Sequence, residues 1–183
     1  MRKIPISGGP HSGKTTLLTT LREAYPDAYF VEEPAEKVIT EQLALEEAGQ
    51  DYVGIFPWNN YKQFAHLVLY AGMHLEAAIP KEADLVFQDR SLIDNIGYNQ
   101  LNGYGDLIHQ TQRMINAANY ATAFFCEPVG SYTTTLIRRE TPIDAAGTHQ
   151  YLATAYAESG LNVVHLPAVS VQERIKLIRE VVQ

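Results

Sequence analysis

Cysteine is almost missing from this chain. A single cysteine, Cys126, among 183 residues excludes an intrachain disulfide, and no Cys/His grouping has zinc-site spacing, so a reducing cytosol is the expected compartment. Positive charge is also scarce. Fourteen Lys and Arg stand against 21 Asp and Glu, a formal charge of −7, which argues against a broad footprint for DNA or RNA. A local basic pocket remains open. Long apolar runs are absent as well: the stretch from Phe64 to Leu75 is interrupted by His66, Gly72 and His74 and falls short of the roughly 20 residues that a membrane-spanning helix needs. The start, MRKIPISGG, has too few apolar residues for a secretory leader. No internal repeat, low-complexity tract or linker interrupts the chain.

What is present fits an ordinary globular protein. Hydrophobic residues make up 46% and charged residues 19%, far from the signature of disorder. At roughly 150 residues per domain, one domain is expected over residues 1–183. Five short apolar runs recur, at Lys3–Ser7, Ala28–Glu32, Leu85–Asp89, Ala121–Glu127 and Asn162–Leu166. Each is nearly continuous in apolar residues and does not alternate, as parallel strands covered on both faces require. The segments between them have helical length and pattern. Together they predict a three-layer α/β/α domain with a five-stranded parallel sheet. Ser91, Thr141 and Ser170 are each followed three residues later by an acid, Asp94, Asp144 and Glu173, a capping-box spacing that marks helix starts. Pro57 is expected to open a helix running to about Ile79, and Gly49 and Gly160 are placed as C-terminal caps.

The strongest chemical signal is GGPHSGKTT. Gly8, Gly13, Lys14 and Thr15 satisfy the full P-loop pattern, directly after the first strand and before a predicted helix, Thr15–Glu23. Such a turn aims backbone N–H groups at a polyphosphate, and the helix N-terminus adds partial positive charge. The whole loop, Gly8, Gly9, Pro10, His11, Ser12, Gly13, Lys14, Thr15 and Thr16, is therefore expected to line an ATP site. Lys14 belongs on the β- and γ-phosphates, Thr15 on a phosphate-bound Mg²⁺, and Thr16 near the α-phosphate. His11 reads as a solvent-facing position.

A second anchor is LVFQDR, residues 85–90. The third strand delivers Asp89 at its carboxyl end, where ligands of open parallel sheets sit, as a Walker B acid for Mg²⁺. A salt bridge with Arg90 at the next helix start is the alternative. For Ser91 and Asp94, capping is the preferred role. The second strand ends in VEEPAEKV, residues 31–38, bringing Glu32 and Glu33 to the same edge. Pro34 favours an extended Glu33, whose carboxylate could accept the proton of an attacking hydroxyl. Both acids would also suit a helix start.

With these motifs in place the chain resembles P-loop kinases of the nucleoside and nucleotide kinase group. Deoxynucleoside kinases carry a strand-two Glu-Pro pair and an acid-Arg-Ser motif after strand three, matched by Glu33-Pro34 and Asp89-Arg90-Ser91. That resemblance implies Glu33 as general base and Arg90 as a phosphate-contacting arginine. Their helix after strand two carries a base-reading Phe-Gln pair, which stands here reversed as Gln63 and Phe64. The chain is also similar to predicted small AAA-type P-loop ATPases that group with nicotinamide riboside kinases, through Asp89-Arg90 with Asp94, the pair Arg138 and Arg139 before a helix, and the Pro167-Ala168 turn. From that likeness, Arg138 or Arg139 closes on the transferring phosphoryl group, as its spread charge demands; solvent exposure or binding of helix carbonyls is the alternative for either. Trp58 and Tyr61 either stack on a flat acceptor ring or fill core. His66 and His74 are expected to pack, since two helical turns separate them.

The combined expectation is an ATP- and Mg²⁺-dependent kinase acting on a hydroxyl of a small, nucleoside-like metabolite. A homodimer is compatible with the sequence. An NTPase switch and a nucleotide-binding regulatory module acting on a macromolecular partner are the competing functions. A switch would need a water-positioning residue and a partner surface, for which the sequence shows no tail, repeat or basic arm, and a binding module would not need Glu33, Asp89 and an arginine lid together.

Overall fold

Each apolar run becomes a strand whose alternate side chains enter two different cores. The computed structural model describes residues 1–49, 51–130 and 142–182. Strand β1 (Arg2–Ser7) leads to α1 (Lys14–Ala24), β2 (Tyr29–Val31), α2 (Pro34–Glu47), α3 (Tyr61–Ala77), β3 (Leu85–Asp89), α4 (Leu92–Leu101), α5 (Asp106–Ala118), β4 (Thr122–Cys126), α6 (Pro142–Ala157), β5 (Asn162–Leu166) and α7 (Val171–Val182). The five strands form one parallel sheet in the order β2-β3-β1-β4-β5. β1 is central, and its partner residues Ile6 and Asp89 place the end of β3 beside the start of the loop after β1.

Neighbouring residues of one strand show the layering directly. Phe124 joins Ile4, Ile6 and Phe87 beneath Leu17, Leu21, Ile175 and Ile178 of α1 and α7. Phe125 and Ala123 face the other way, into a core with Leu69 of α3, Ile93 of α4, Ile115 of α5 and Leu152 and Tyr156 of α6. Opposite side-chain directions along a strand thus build the three layers, and fully buried aromatic and aliphatic side chains supply the main driving force. The five-stranded parallel α/β/α architecture is the one that the apolar runs imply.

Several boundaries differ from the sequence expectation, β1, α1 and β4 by one residue at one or both ends. β2 is shorter than the run Ala28–Glu32. The long helix begins at Tyr61, after Pro57, because Asn60 caps it by accepting the Gln63 N–H at 3.3 Å. Asn59 turns the preceding chain, accepting from Phe56 N at 2.8 Å and donating to Gly54 O at 2.9 Å. Side-chain bonds of two consecutive asparagines outweigh the helix-start tendency of proline. Of the three predicted capping boxes, Ser91 with Asp94 forms one and Ser170 with Glu173 another. Thr141 lies outside the described residues.

Contact between α4 and α6 requires the absence of a side chain at Gly97. A methyl placed there would sit 3.0 Å from Leu152 Cα and 3.0 Å from Tyr151 O. Gly147, on α6, has none of the described residues within 4 Å of the corresponding point. We predict that Gly97→Ala destabilises by about 1–3 kcal/mol through overpacking against backbone. Gly147→Ala should stabilise by roughly 0.5–1 kcal/mol, as alanine replaces glycine inside a helix. Thermal melts of the two variants should therefore shift in opposite directions.

Candidate functional site

The loop after β1 is shaped by three departures from ordinary backbone. Gly8 has φ 144°, His11 φ 59° and Gly13 φ 76°, and Gly13 is the residue from which α1 starts. A Cβ at Gly8 would lie 2.5 Å from Cys126 O, so glycine is required there by space as well as by φ. Lys14, the first residue of α1, is only 6% exposed, while Thr15 and Thr16 are exposed. Arg174 of α7 grips the loop from behind. Fully buried, it donates from Nη1 to Ser12 O at 2.5 Å, from Nη2 to Glu127 O at 2.8 Å and from Nε to Pro167 O at 2.8 Å. Val129 N–H adds a bond to His11 O at 3.1 Å.

Beside this loop the chain turns sharply after β3. Arg90 adopts φ 68°, an uncommon, strained conformation for a non-glycine residue, and its N–H bonds Ile6 O at 3.0 Å. The turn sends the Arg90 side chain inward. Its Nε donates to Glu33 Oε1 at 2.8 Å, and its Nη1 to Asp94 Oδ1 at 2.9 Å and Gly8 O at 3.3 Å. The guanidinium also lies over the Tyr98 ring, 5.4 Å from its centroid. Asp94 does more than cap α4: it accepts Ser7 Oγ at 2.6 Å, Ser91 N at 2.9 Å and Tyr156 OH at 2.7 Å.

Asp89 lies in the same corner. Its Oδ1 is buried and has no hydrogen-bond partner among the described residues. Burial, assisted by the charges of Glu33 and Asp94, outweighs the attraction of Lys14 and Arg90 and pushes its carboxyl up to about 6. An orphaned carboxylate oxygen facing a buried lysine suits a divalent cation arriving with a phosphate. Among the described residues no cluster of three or more His, Cys, Asp or Glu could hold a metal ion; a Mg²⁺ at Asp89 would take the rest of its shell from phosphate and water.

Glu33 is extended, with φ −68° and ψ 118°, directly before Pro34 at the first turn of α2, as the Glu-Pro pair predicts. Glu32 turns to solvent, 3.4 Å from Lys37. A cavity of about 360 Å³ joins these parts, lined by Lys14 and Thr15 of the loop, by Glu33, Glu36 and Arg90, and by an apolar portion that includes Ile39, Phe64 and Val68. Tyr61 lines it too, with its hydroxyl 3.1 Å from Asn99 Oδ1 and its ring stacked on Tyr104. Gln63 is exposed and does not line the cavity, and Trp58 stacks on Phe56 outside it. His11 is half-buried and lines the cavity instead of facing solvent, while His66 is half-buried and His74 exposed. Arg138 and Arg139 lie outside the described residues.

Three contributors carry no local sequence signal. Asn95, one turn into α4, is 8% exposed and lines the cavity. Arg174 reaches the loop across 162 positions. Glu127, directly after β4, meets His149 at 3.1 Å and His165 at 2.9 Å; although burial raises its carboxyl, the hydrogen bonds to His165 and His149 hold it below the usual range.

A family model for an AAA domain matches residues 3–174, and the chain belongs to that family. No curated protein matches the chain in sequence. Among solved structures the fold is similar to thymidylate kinase from Candida albicans, with a TM-score of 0.69 and 13% identity over 99% of this chain and 90% of that one. The architecture is thus a P-loop kinase fold.

The state of Asp89 gives a test in metal-free, nucleotide-free protein. Because its folded value, about 6, lies above the ordinary 3.8, the folded state takes up a proton there. The associated stability is full below about pH 4 and is lost as pH rises through about 6. Asp89→Asn should therefore melt higher than the unaltered protein at pH 8, by up to about 3 kcal/mol, and match it near pH 4. Melting curves at the two pH values decide it.

Proposed function

Starting from membership of the AAA-domain family, we propose that this protein is an ATP-dependent small-molecule kinase, moving the γ-phosphoryl group to a hydroxyl of a nucleoside-like metabolite. Residues 1–183 act as one catalytic unit in this reading. The observation that carries it is the cavity that joins Lys14 of the loop to an apolar, aromatic recess, with Glu33 on its wall. Hydrolysis alone has no use for an apolar recess beside the phosphates. A flat ring with a polar edge fits Phe64, Val68 and Tyr61, and Asn95 offers it an amide.

In the proposed reaction Lys14 and the loop N–H groups bind the β- and γ-phosphates. Thr15 and Asp89 would hold Mg²⁺, which supplies charge neutralisation across those phosphates. Glu33 takes the hydroxyl proton as the acceptor oxygen bonds to the γ-phosphorus, and the bond to the β–γ bridging oxygen breaks, releasing ADP. Arg90 fixes Glu33 in place by its 2.8 Å bond. One of Arg138 and Arg139 meets the charge on the transferring group.

Two substitutions test this assignment. Lys14→Ala should abolish transfer and weaken ATP binding while leaving the nucleotide-free melt in place. Glu33→Gln should cut acceptor phosphorylation by roughly 10²- to 10⁴-fold with ATP affinity nearly unchanged. It will also lower the melt, because the buried Arg90 loses an anionic partner, so rates are to be compared well below the melting range. Full transfer by Glu33→Gln to every acceptor would leave that carboxylate as a helix-start residue.

A further inference from the structure

His149 occupies a position that the proposed reaction does not use. It projects from α6 onto the loop after β1, and a Cβ at Gly9 would lie 2.6 Å from His149 Cβ, so loop and helix touch without an intervening side chain. The Gly9 N–H donates to His149 Nδ1 at 3.3 Å, and His149 Nε2 stands 3.1 Å from Glu127 Oε2. A nitrogen that accepts from an amide cannot carry a proton, so this network assigns the neutral ring with hydrogen on Nε2, donated to Glu127. Glu127 is anchored in turn, by His165 Nδ1 at 2.9 Å on its other oxygen and by Arg174 on its backbone carbonyl. Glu127 and His149 flank in sequence the segment that carries Arg138 and Arg139.

We propose that His149 is a positioning residue that holds the Gly8–Gly13 loop in its phosphate-binding shape only while its ring is neutral, making nucleotide affinity fall in mild acid. This rests on the reading of the loop as an ATP site. The physical cause is donor–acceptor inversion. A protonated ring donates from both nitrogens, and Nδ1–H then opposes the Gly9 N–H. Among the described residues the charged and titratable groups around the ring are Glu127 from β4, His165 from β5 and Arg174 from α7 behind Glu127. Nε2–H donates to Glu127 in either state of the ring, so the contact with Glu127 is kept and the loop bond is what gives way.

Two substitutions separate the halves of the contact. His149→Asn places an amide oxygen where Nδ1 stands, an acceptor for Gly9 at every pH. His149→Gln places its amide nearer Nε2, keeping a donor for Glu127 and vacating the Gly9 contact. ATP binding with Mg²⁺ is measured for the three full-length proteins between about pH 8 and pH 5.5, the range in which histidine titrates. Titration of ATP itself is common to all three and cancels in the comparison. On acidification the unaltered protein should lose roughly 3- to 10-fold more affinity than His149→Asn, the worth of one hydrogen bond. His149→Gln should be weaker than His149→Asn by a similar factor already at pH 8. In ¹H–¹⁵N spectra of the nucleotide-free protein, the Gly9 amide should titrate together with the His149 ring. Equal acid sensitivity of all three proteins, full affinity of His149→Gln, or a Gly9 amide indifferent to the ring overturns the positioning role alone. Absence of binding by the unaltered protein at every pH overturns the ATP-site reading and the positioning role with it.

Discussion

A buried carboxylate holds the carboxyl edge of this sheet together. Asp94, 3% exposed, accepts from Ser7 at the end of β1, Arg90 after β3, Ser91 at the start of α4 and Tyr156 in α6. Removing a carboxylate from water is expensive. Four donors, one of them charged, offset that cost and in return fix three chain segments, the end of β1, residues 90–91 and α6, to a common point. Arg90 extends the network to Glu33 and to the Gly8 carbonyl, so the orientation of the proposed base depends on the same carboxylate.

The loop after β1 is held from behind in the same spirit. The carbonyls of Gly8, His11 and Ser12 are taken up by Arg90, Val129 N–H and Arg174. Three peptide oxygens that would repel a phosphate are thereby directed to donors of the protein. Positive charge is concentrated near the loop by Lys14 at the helix start, while the chain as a whole is acidic. That pairing reconciles a net charge of −7 with a polyphosphate site: the attraction is built from local geometry, and no basic surface is needed.

Much of this was legible in the sequence because it is written in short windows. Continuous apolar runs name parallel strands, the Gly8-to-Thr15 pattern names the loop, Pro34 sets the Glu33 backbone, and the Ser91 and Ser170 boxes mark helix starts. The contributors without a local signal act over distance. Arg174, His149 and Asn95 are ordinary helix residues until the fold brings them to the loop or the cavity, and nothing within a few positions of each distinguishes them. The helix start at Asn60 was hidden for a related reason: Pro57 is the stronger local marker, and only the paired turns made by Asn59 and Asn60 displace it. The double role of Asp94 illustrates both situations, since its capping bond is readable from spacing and its bonds to Ser7 and Tyr156 are not.

The central claim is that the recess beside the loop holds the phosphoryl acceptor, in place of admitting water alone. Its most direct test is one reaction, with ATP and Mg²⁺, in which phosphorylated product and free phosphate are both quantified by mass spectrometry and phosphate assay across a panel of nucleosides and ring-bearing alcohols. The account predicts a phosphorylated product for a subset of the panel, with little free phosphate when the acceptor is absent. Free phosphate released at one rate whatever small molecule is added, with no phosphorylated product, would contradict it.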